Sequence, residues 1–337
     1  MAKWAERLLW LIKAAAIAVI AVSLFACAAR WWWPCELACH FRVQYAVLLL
    51  AAGVALAVGR SWRWALVVLI AAGANASGFA GLYWPRVAAP STAEAASDTA
   101  GVKGRGIKVM TFNVNGGNRN HAGIRELIER ESPEIVVIVE YTPRLSAAFA
   151  DWKAGYPYRH ESPRDHAFGI AVFSRLVISN FREVSLGDSE APTIVAEIDG
   201  GEDEESRSQL GGCTLIATHP VPPVGAERAA MRNGQLADLA RLAAGQIPPT
   251  IVAGDLNITS FSPMFADLLR EGRLLDSRRG FGNQATWPRQ LPPLRMAIDH
   301  VLVTPGIEVV ERRVAGFAGS DHAAVVAELR RASKRGH

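Results

Sequence analysis

The sequence predicts a two-sheet α/β sandwich preceded by a block of membrane helices. Three observations carry that prediction. Long apolar runs are confined to the first quarter of the 337-residue chain. Beyond them, short β-branched runs alternate only loosely with helical patterns, which suits two packed sheets better than one doubly wound sheet. The predicted strands also end repeatedly in a carboxylate, an amide or an imidazole, most clearly in Ile251-Val252-Ala253-Gly254-Asp255-Leu256-Asn257. Asp255 and Asn257, two residues apart on a strand, share a face. Gly254 leaves room there for a ligand or another backbone.

Residues 8–29, whose only charge is Lys13, and residues 43–59 and 64–84 are each close to the ~20 residues a bilayer core requires. Residues 1–84 therefore read as a region of three transmembrane helices. Two other readings exist: buried soluble helices, and a cleaved signal peptide over 1–28, with Lys3 and Arg7 as its positive start and Ala26-Cys27-Ala28 as its cleavage site. Lys3, Arg7, Arg60 and Arg63 against Arg30, Arg42 and Arg86 give a weak positive-inside bias. It makes the chain a multi-pass protein of the cytoplasmic membrane and puts everything after residue 85 on the periplasmic or extracellular side, whether or not the first helix is kept. Trp31, Trp32, Trp33, Trp62, Trp64 and Trp84 sit at predicted helix ends, as interfacial anchors do. Cys35 and Cys39 either pair in the outer loop or stand as unpaired neighbours, while Cys27 and Cys213 read as small buried hydrophobes. Ala74, Ser77, Gly78 and Gly81 permit close helix packing. Residues 85–106, rich in Pro, Ala, Ser, Thr and Gly, form a linker.

Residues 107–331 are globular, and 332–337 form a tail. The net charge of +4 belongs partly to the membrane flanks and announces no nucleic-acid surface. A first strand, Ile107–Asn113, ends in Asn113; a helix over 120–131 leads to a strand over 134–140, which ends in Glu140. A carboxylate closing such an apolar run needs a partner, a metal ion or, more plainly, an arginine. Strands follow at 168–175 and 193–198, with an acidic hairpin loop at 202–205. The run 213–219 ends in His219, and an amphipathic helix over 225–245 leads to the Asp255/Asn257 strand. After a helix over 262–271 and a Pro-rich loop containing Trp287, the strand 296–303 carries Asp299 and His300. Asp321 and His322 precede the last strand, 323–329. A sandwich can gather such strand ends at one rim, where these groups would form a set for metal and phosphate chemistry.

The ordered series Thr111-Phe112-Asn113-Val114-Asn115, Val139-Glu140, Thr218-His219, Gly254-Asp255-Leu256-Asn257, Ile298-Asp299-His300 and Ser320-Asp321-His322 resembles the endonuclease/exonuclease/phosphatase family over essentially all of 107–331. The family takes in DNase I-like nucleases, abasic-site endonucleases, sphingomyelinases and inositol-phosphate phosphatases. The resemblance implies a four-layered α/β sandwich and phosphoester cleavage with Mg²⁺, or Mn²⁺ in its place. Glu140 would be the principal metal ligand with Asn113 beside it, in line with magnesium's use of few protein oxygens. Asp255 would position or deprotonate the attacking water, and Asn257 would donate to a phosphoryl oxygen. His322, oriented by Asp321, would offset charge on the scissile phosphate; His219 would support the phosphate or the leaving group. Asp299 would be a second metal-side or a His-orienting carboxylate. Whether Asp255 or a histidine is the base stays open. Asn115 stands where several nucleases of the family carry an acid, which weakens the case for a second metal.

Three functional readings follow. The first is a membrane-anchored phosphoesterase acting on a phosphomonoester, phosphodiester or pyrophosphate. Three helices followed by this domain look like the bacterial membrane members associated with glycopeptide resistance, thought to act on cell-envelope lipid phosphates, and so imply a lipid-linked substrate. The second is a nuclease, for which Arg159, Arg164, Arg175, Arg278, Arg279, Arg289 and Arg295 are available, offset by the acidic loop. The third is a catalytically silent docking module, whose mark would be loss of the site groups, and none is missing. Loops 158–167 and 278–295 are expected to decide between substrates.

Overall fold

The computed structural model describes residues 2–84, 106–152, 155–165, 167–199, 210–247 and 249–332. The expected linker up to residue 105, the acidic loop at 202–205 and the tail from residue 333 lie outside these. The chain divides into two units, Met1–Trp84 with Ile258–Ala266, and Pro85–Asn257 with Asp267–His337.

In the first unit the apolar runs fold as α1 (Ala2–Phe25), α3 (Arg42–Val58) and α4 (Trp62–Ala80), with a short α2 (Trp33–Cys39) before α3. The first and the last of these long helices are long and apolar enough to cross a membrane; α2 and α3, bent by 59° at their junction, supply a third span if taken as one. Leu49, Leu56, Ala65, Val68 and Ala72 form the buried seam together with Ala16 of α1. Close approaches lie at Gly53, where a Cβ would sit 2.6 Å from a Leu69 methyl, and at Gly59, 2.5 Å from a Leu9 methyl, whereas Gly81 faces nothing within 4 Å. Ser23 Oγ donates to Asn75 Oδ1 at 2.9 Å between α1 and α4. Cys35 and Cys39 are buried and are not joined by a disulfide, and Cys39 Sγ lies 3.9 Å from His40 Nδ1. Cys27 is exposed rather than buried, because the 3₁₀ turn Ala26–Ala28 points Ala26 inward and Cys27 outward. Within this unit Ser262 Oγ donates to Glu36 Oε1 at 2.6 Å, His40 Nδ1 lies 2.9 Å from Thr259 Oγ1, and the Phe79 and Phe261 rings meet edge on.

The second unit holds two six-stranded sheets. One runs β11 (Ile307–Gly316), β12 (Ala324–Arg331), β1 (Ile107–Asn113), β2 (Ile135–Val139), β4 (Ile170–Ser174), β3 (Tyr158–Ser162). The other runs β5 (Ile178–Ser185), β6 (Pro192–Ile198), β7 (Cys213–Ala217), β8 (Thr250–Asp255), β10 (Asp299–Val303), β9 (Leu275–Asp276). Each sheet has one parallel pair at its centre, β1 with β2 and β7 with β8. A parallel pair needs a long crossover; α5 (His121–Glu131) and α7 (Ala226–Ala244) supply them.

Val109, Val137 and Val172 of the first sheet pack against Ile194, Leu215, Ile251 and Val301 of the second, forming the core between the sheets. The other face of the first sheet, Met110, Phe112, Val136 and Ile138, packs on Ile124, Leu127 and Ile128 of α5 and on Leu145 of α6 (Pro143–Ala148). Burial on both faces explains why β2 reads as a continuous apolar run. At roughly 1.5–3 kcal/mol for each buried aliphatic side chain, these layers rather than surface ion pairs hold the strand ends in place. The result is two mixed sheets packed with helices, the expected sandwich.

Candidate active site

Six strand ends converge, and Asp255 is their hub. Its Oδ2 accepts from Asn113 Nδ2 at 3.0 Å and lies 3.6 Å from His219 Nε2 and 3.7 Å from His322 Nδ1. Its Oδ1 accepts from the Asn257 backbone N–H at 2.9 Å. Asn113 ties the two sheets together, because the same amide nitrogen donates to Glu140 Oε1 at 3.0 Å. The other Glu140 oxygen accepts from Gly116 N at 2.8 Å, so among the described residues an amide and a backbone N–H, not an arginine, answer its charge. Asn113 Oδ1 accepts from Asn115 N at 3.0 Å. Its amide thus presents NH₂ to the carboxylates, positioning both rather than offering its oxygen.

Glu140, Asn115 and Asn257 all hold left-handed backbone, at φ 58°, 60° and 50°. Such strain outside glycine clusters at functional sites, and here it falls just beyond the ends of β1, β2 and β8. Gly254 serves a different need: a Cβ there would stand 1.8 Å from the Thr218 carbonyl oxygen. The room that it leaves is taken by the β7 backbone, which brings His219 beside Asp255.

His219 Nδ1 faces the Ala167 carbonyl at 3.1 Å, which can only accept, so Nδ1 carries the proton. Asn257 Nδ2, oriented by the Pro220 carbonyl at 2.9 Å, meets His219 Nε2 at 3.3 Å. Arg232, fully buried on α7, donates to the Asn257 carbonyl at 2.8 Å and fixes this turn.

His322 overturns one expectation. Its Nδ1 bonds Asp299 Oδ2 at 3.0 Å, and Asp321 does not orient it. Asp321 instead accepts from Asn115 Nδ2 at 2.7 Å and Trp287 Nε1 at 2.9 Å. The reason is geometric: successive residues of an extended segment point to opposite sides, so Asp321 and His322 cannot share a direction. Of the two roles expected for Asp299, the His-orienting one is in place. The same alternation separates His300 from Asp299 and leaves it near Asp276, outside the site. Asn115 also gains a reason, since an acid there would face the Asp321 carboxylate. Ser320, which accepts from His322 N at 3.0 Å and donates to the Asn113 carbonyl at 2.8 Å, and Trp287 are members that the sequence reading missed. Ser320 was visible only as the first letter of Ser-Asp-His.

Burial and then the Asp299 carboxylate directly opposite it across the β8–β10 ladder push the Asp255 carboxyl up. Burial works against charge on His322, but Asp299 and then Asp255 outweigh it and push the imidazole up to about 10. Burial also opposes charge on Asp321, yet the bonds from Asn115 and Trp287 hold it below the usual carboxylate range.

Asp255, Asp299 and His322 each offer a ligand atom within 4.8 Å of the others. Asp299 Oδ1 is buried and has no hydrogen-bond partner among the described residues. A buried carboxylate oxygen without a donor is costly, and with Glu140 one amide away the oxygen-rich set fits a small divalent cation. A cavity of about 510 Å³ is lined by Phe168, Val221 and Met231 together with Asp188, Glu190, Glu227 and Arg228. The Phe168 ring lies 6.2 Å from that of His219.

The fold, with carboxylates, amides and imidazoles gathered at one rim, is that of a class of phosphoester hydrolases. Residues 110–322 match the model of the Endonuclease/Exonuclease/phosphatase family, and the chain belongs to that family. Among solved structures, an endonuclease/exonuclease/phosphatase from Beutenbergia cavernae is 22% identical over 68% of this chain and 72% of its own, with TM-score 0.52. A 3′ phosphatase from Neisseria bound to a product DNA hairpin is 22% identical over 66% of this chain and 98% of its own, with TM-score 0.55. The human Nocturnin catalytic domain with bound sulfate is 18% identical over 68% and 97%, also with TM-score 0.55. No curated protein matches the chain in sequence.

Proposed function

We propose that the chain is a membrane-anchored phosphoesterase that uses Mg²⁺, or Mn²⁺ in its place, to hydrolyse a lipid-linked phosphoester on the outer side of the cytoplasmic membrane. The observation that carries the reading is the Asn113 amide, which holds Glu140 and Asp255 together at 3.0 Å each, with the Asp299–His322 pair beside them. Glu140 would hold the cation, with Asp299 Oδ1 and Asp255 available to it. The cation, when bound, supplies positive charge to a phosphoryl oxygen. Asp255, raised by burial, takes the proton of the attacking water. His322, kept charged by two carboxylates, stabilises the phosphoryl oxygens as negative charge grows on them, and Asn257 Nδ2 exchanges its longer contact, the one at 3.3 Å to His219 Nε2, for one of them. His219 faces the leaving group.

Two helices, or three with the bent pair, support the membrane part of the reading. The three carboxylates lining the Phe168 cavity disfavour a second phosphate there, which supports a leaving group that is not a nucleic-acid strand. The nuclease reading draws on the likeness to the Neisseria enzyme bound to DNA. The full chain in detergent with Mg²⁺, assayed on duplex DNA, a prenyl pyrophosphate and a sphingomyelin-type diester, separates the two. Turnover of a lipid substrate, lost in Glu140→Ala, is the expected result. Turnover of DNA alone favours the nuclease, and no turnover by either protein removes the hydrolase reading for these substrates.

A further inference from the structure

Residues 288–295 form a loop whose neck is closed by the bridge between Trp287 and Met296. That neck is fastened to the site. Trp287 Nε1 donates to Asp321 Oδ2, Arg289 N donates to the Asp321 carbonyl at 2.8 Å, and the Trp287 ring lies 6.0 Å from that of His322. Two guanidiniums flank the tip: Arg295 lies 4.8 Å and Arg289 5.7 Å over the Phe317 ring. Arg295 also donates to the carbonyls of Pro288 and Arg289, which draws the loop's two ends together. Between the arginines, Leu291-Pro292-Pro293-Leu294 is exposed throughout, Leu291 at 54% and Leu294 at 43%. Four consecutive exposed apolar residues are a fault in a soluble surface unless they meet a partner. Two prolines hold them in shape, so little chain entropy remains to be lost on contact.

We propose that this loop is a membrane-contacting rim of the active site. Leu291 and Leu294 enter the headgroup and upper acyl region of an anionic phospholipid surface, while Arg289 and Arg295 receive its phosphates. An apolar tip with basic flanks is the composition that suits such a surface. The chain's own helices include two, or three with the bent pair, that are long and apolar enough to cross a bilayer. A nucleic-acid strand would use the arginines but gain nothing from Leu-Pro-Pro-Leu, and it would meet the carboxylates lining the Phe168 cavity. The inference rests on the lipid-phosphoester reading above and adds how the substrate surface is met.

The test uses the full chain reconstituted in vesicles of phosphatidylglycerol and phosphatidylcholine containing acyl-chain nitroxide lipids. A fluorophore is placed at Leu291→Cys in a Cys27→Ser background, with the same label at Glu271→Cys, on α8 (Pro263–Glu271), as reference. Quenching at 291 well above that at 271, reduced about ten-fold by Arg289→Gln with Arg295→Gln or by removing phosphatidylglycerol, is the expected result. Equal quenching at the two positions overturns the rim. So does quenching at 291 that duplex DNA abolishes while phosphatidylglycerol has no effect on it, since the loop then serves nucleic acid. Leu291→Ser with Leu294→Ser is expected to lower turnover of a vesicle-borne phosphoester about ten-fold relative to a soluble one, with unchanged Tm. Quenching without any lipid turnover leaves the rim standing and removes the substrate reading; lipid turnover with equal quenching does the reverse.

Discussion

His322 takes its orientation from a carboxylate 23 positions back along the chain, not from the aspartate beside it. The adjacency Asp321-His322 made the wrong partner look natural, while the sequence had no way to show that Asp299 Oδ2 would lie 3.0 Å from the ring. Asp299→Asn is therefore expected to lower kcat/KM of the full chain by roughly 10²–10⁴-fold, as loss of a positioned acid–base partner does. Asp321→Asn, which loosens Trp287 and Asn115, is expected to cost about ten-fold; equal losses in steady-state assays would count against the assignment. A second residue lies outside the site. Asp276 is buried against the fully buried Arg278 at 2.5 Å, and although burial opposes its charge, the guanidinium holds it well below the usual carboxylate range. Asp276→Asn breaks this buried ion pair, which costs about 3–5 kcal/mol, a fall in Tm of roughly 10 °C or more. The folded-state pKa is depressed, so the contribution is fully present above the unfolded value of ~3.9 and is lost as pH falls through the folded one. The Tm gap between wild type and variant is expected to narrow in acid.

At the scale of elements, the strands legible in the sequence were those at sheet centres. β1, β2, β4, β6, β7, β8, β10 and β12 carry apolar stretches, interrupted in β1 by Lys108 and Thr111, in β6 by Glu197 and in β12 by Glu328, because most of their positions are buried. The four that escaped notice, β3, β5, β9 and β11, are the four sheet edges. An edge strand is polar, short or bulged by design against aggregation. β5 buries only Ile178 fully, β9 has two residues, and β11 is bulged near Val310 and Ala315. The site was legible for the same reason as the central strands, since its groups terminate runs that periodicity can find. Their partners on loops, Trp287 and Ala167, were not. Gly254 tests how tightly the central pair is set. Gly254→Ala forces β7 and β8 apart and is expected to cost on the order of 3 kcal/mol or more. Gly234→Ala on α7, where a Cβ meets nothing within 4 Å, is expected to stabilise by about 0.5–1 kcal/mol. Chemical denaturation of the two variants, with ΔG moving in opposite directions, checks both statements.

For the whole molecule, the apolar helices and the hydrolytic unit belong to one chain, and the orientation proposed from Lys3, Arg7, Arg60 and Arg63 would decide which phosphoesters it meets. A C-terminal alkaline phosphatase fusion is expected to be active in cells and the matching cytoplasmic reporter inactive; the reverse pattern would move the substrate indoors. If Glu140 and Asp255, tied by Asn113, form a cation-dependent phosphoester site, hydrolysis follows both the cation and Asp255. Full chain in detergent, stripped with EDTA and supplied with Mg²⁺, is assayed on a soluble aryl phosphodiester beside Asp255→Ala. Activity that EDTA abolishes, Mg²⁺ restores and Asp255→Ala lowers by about 10³-fold or more is the predicted result. Hydrolysis that persists in EDTA, or that is equal in the variant, would contradict it.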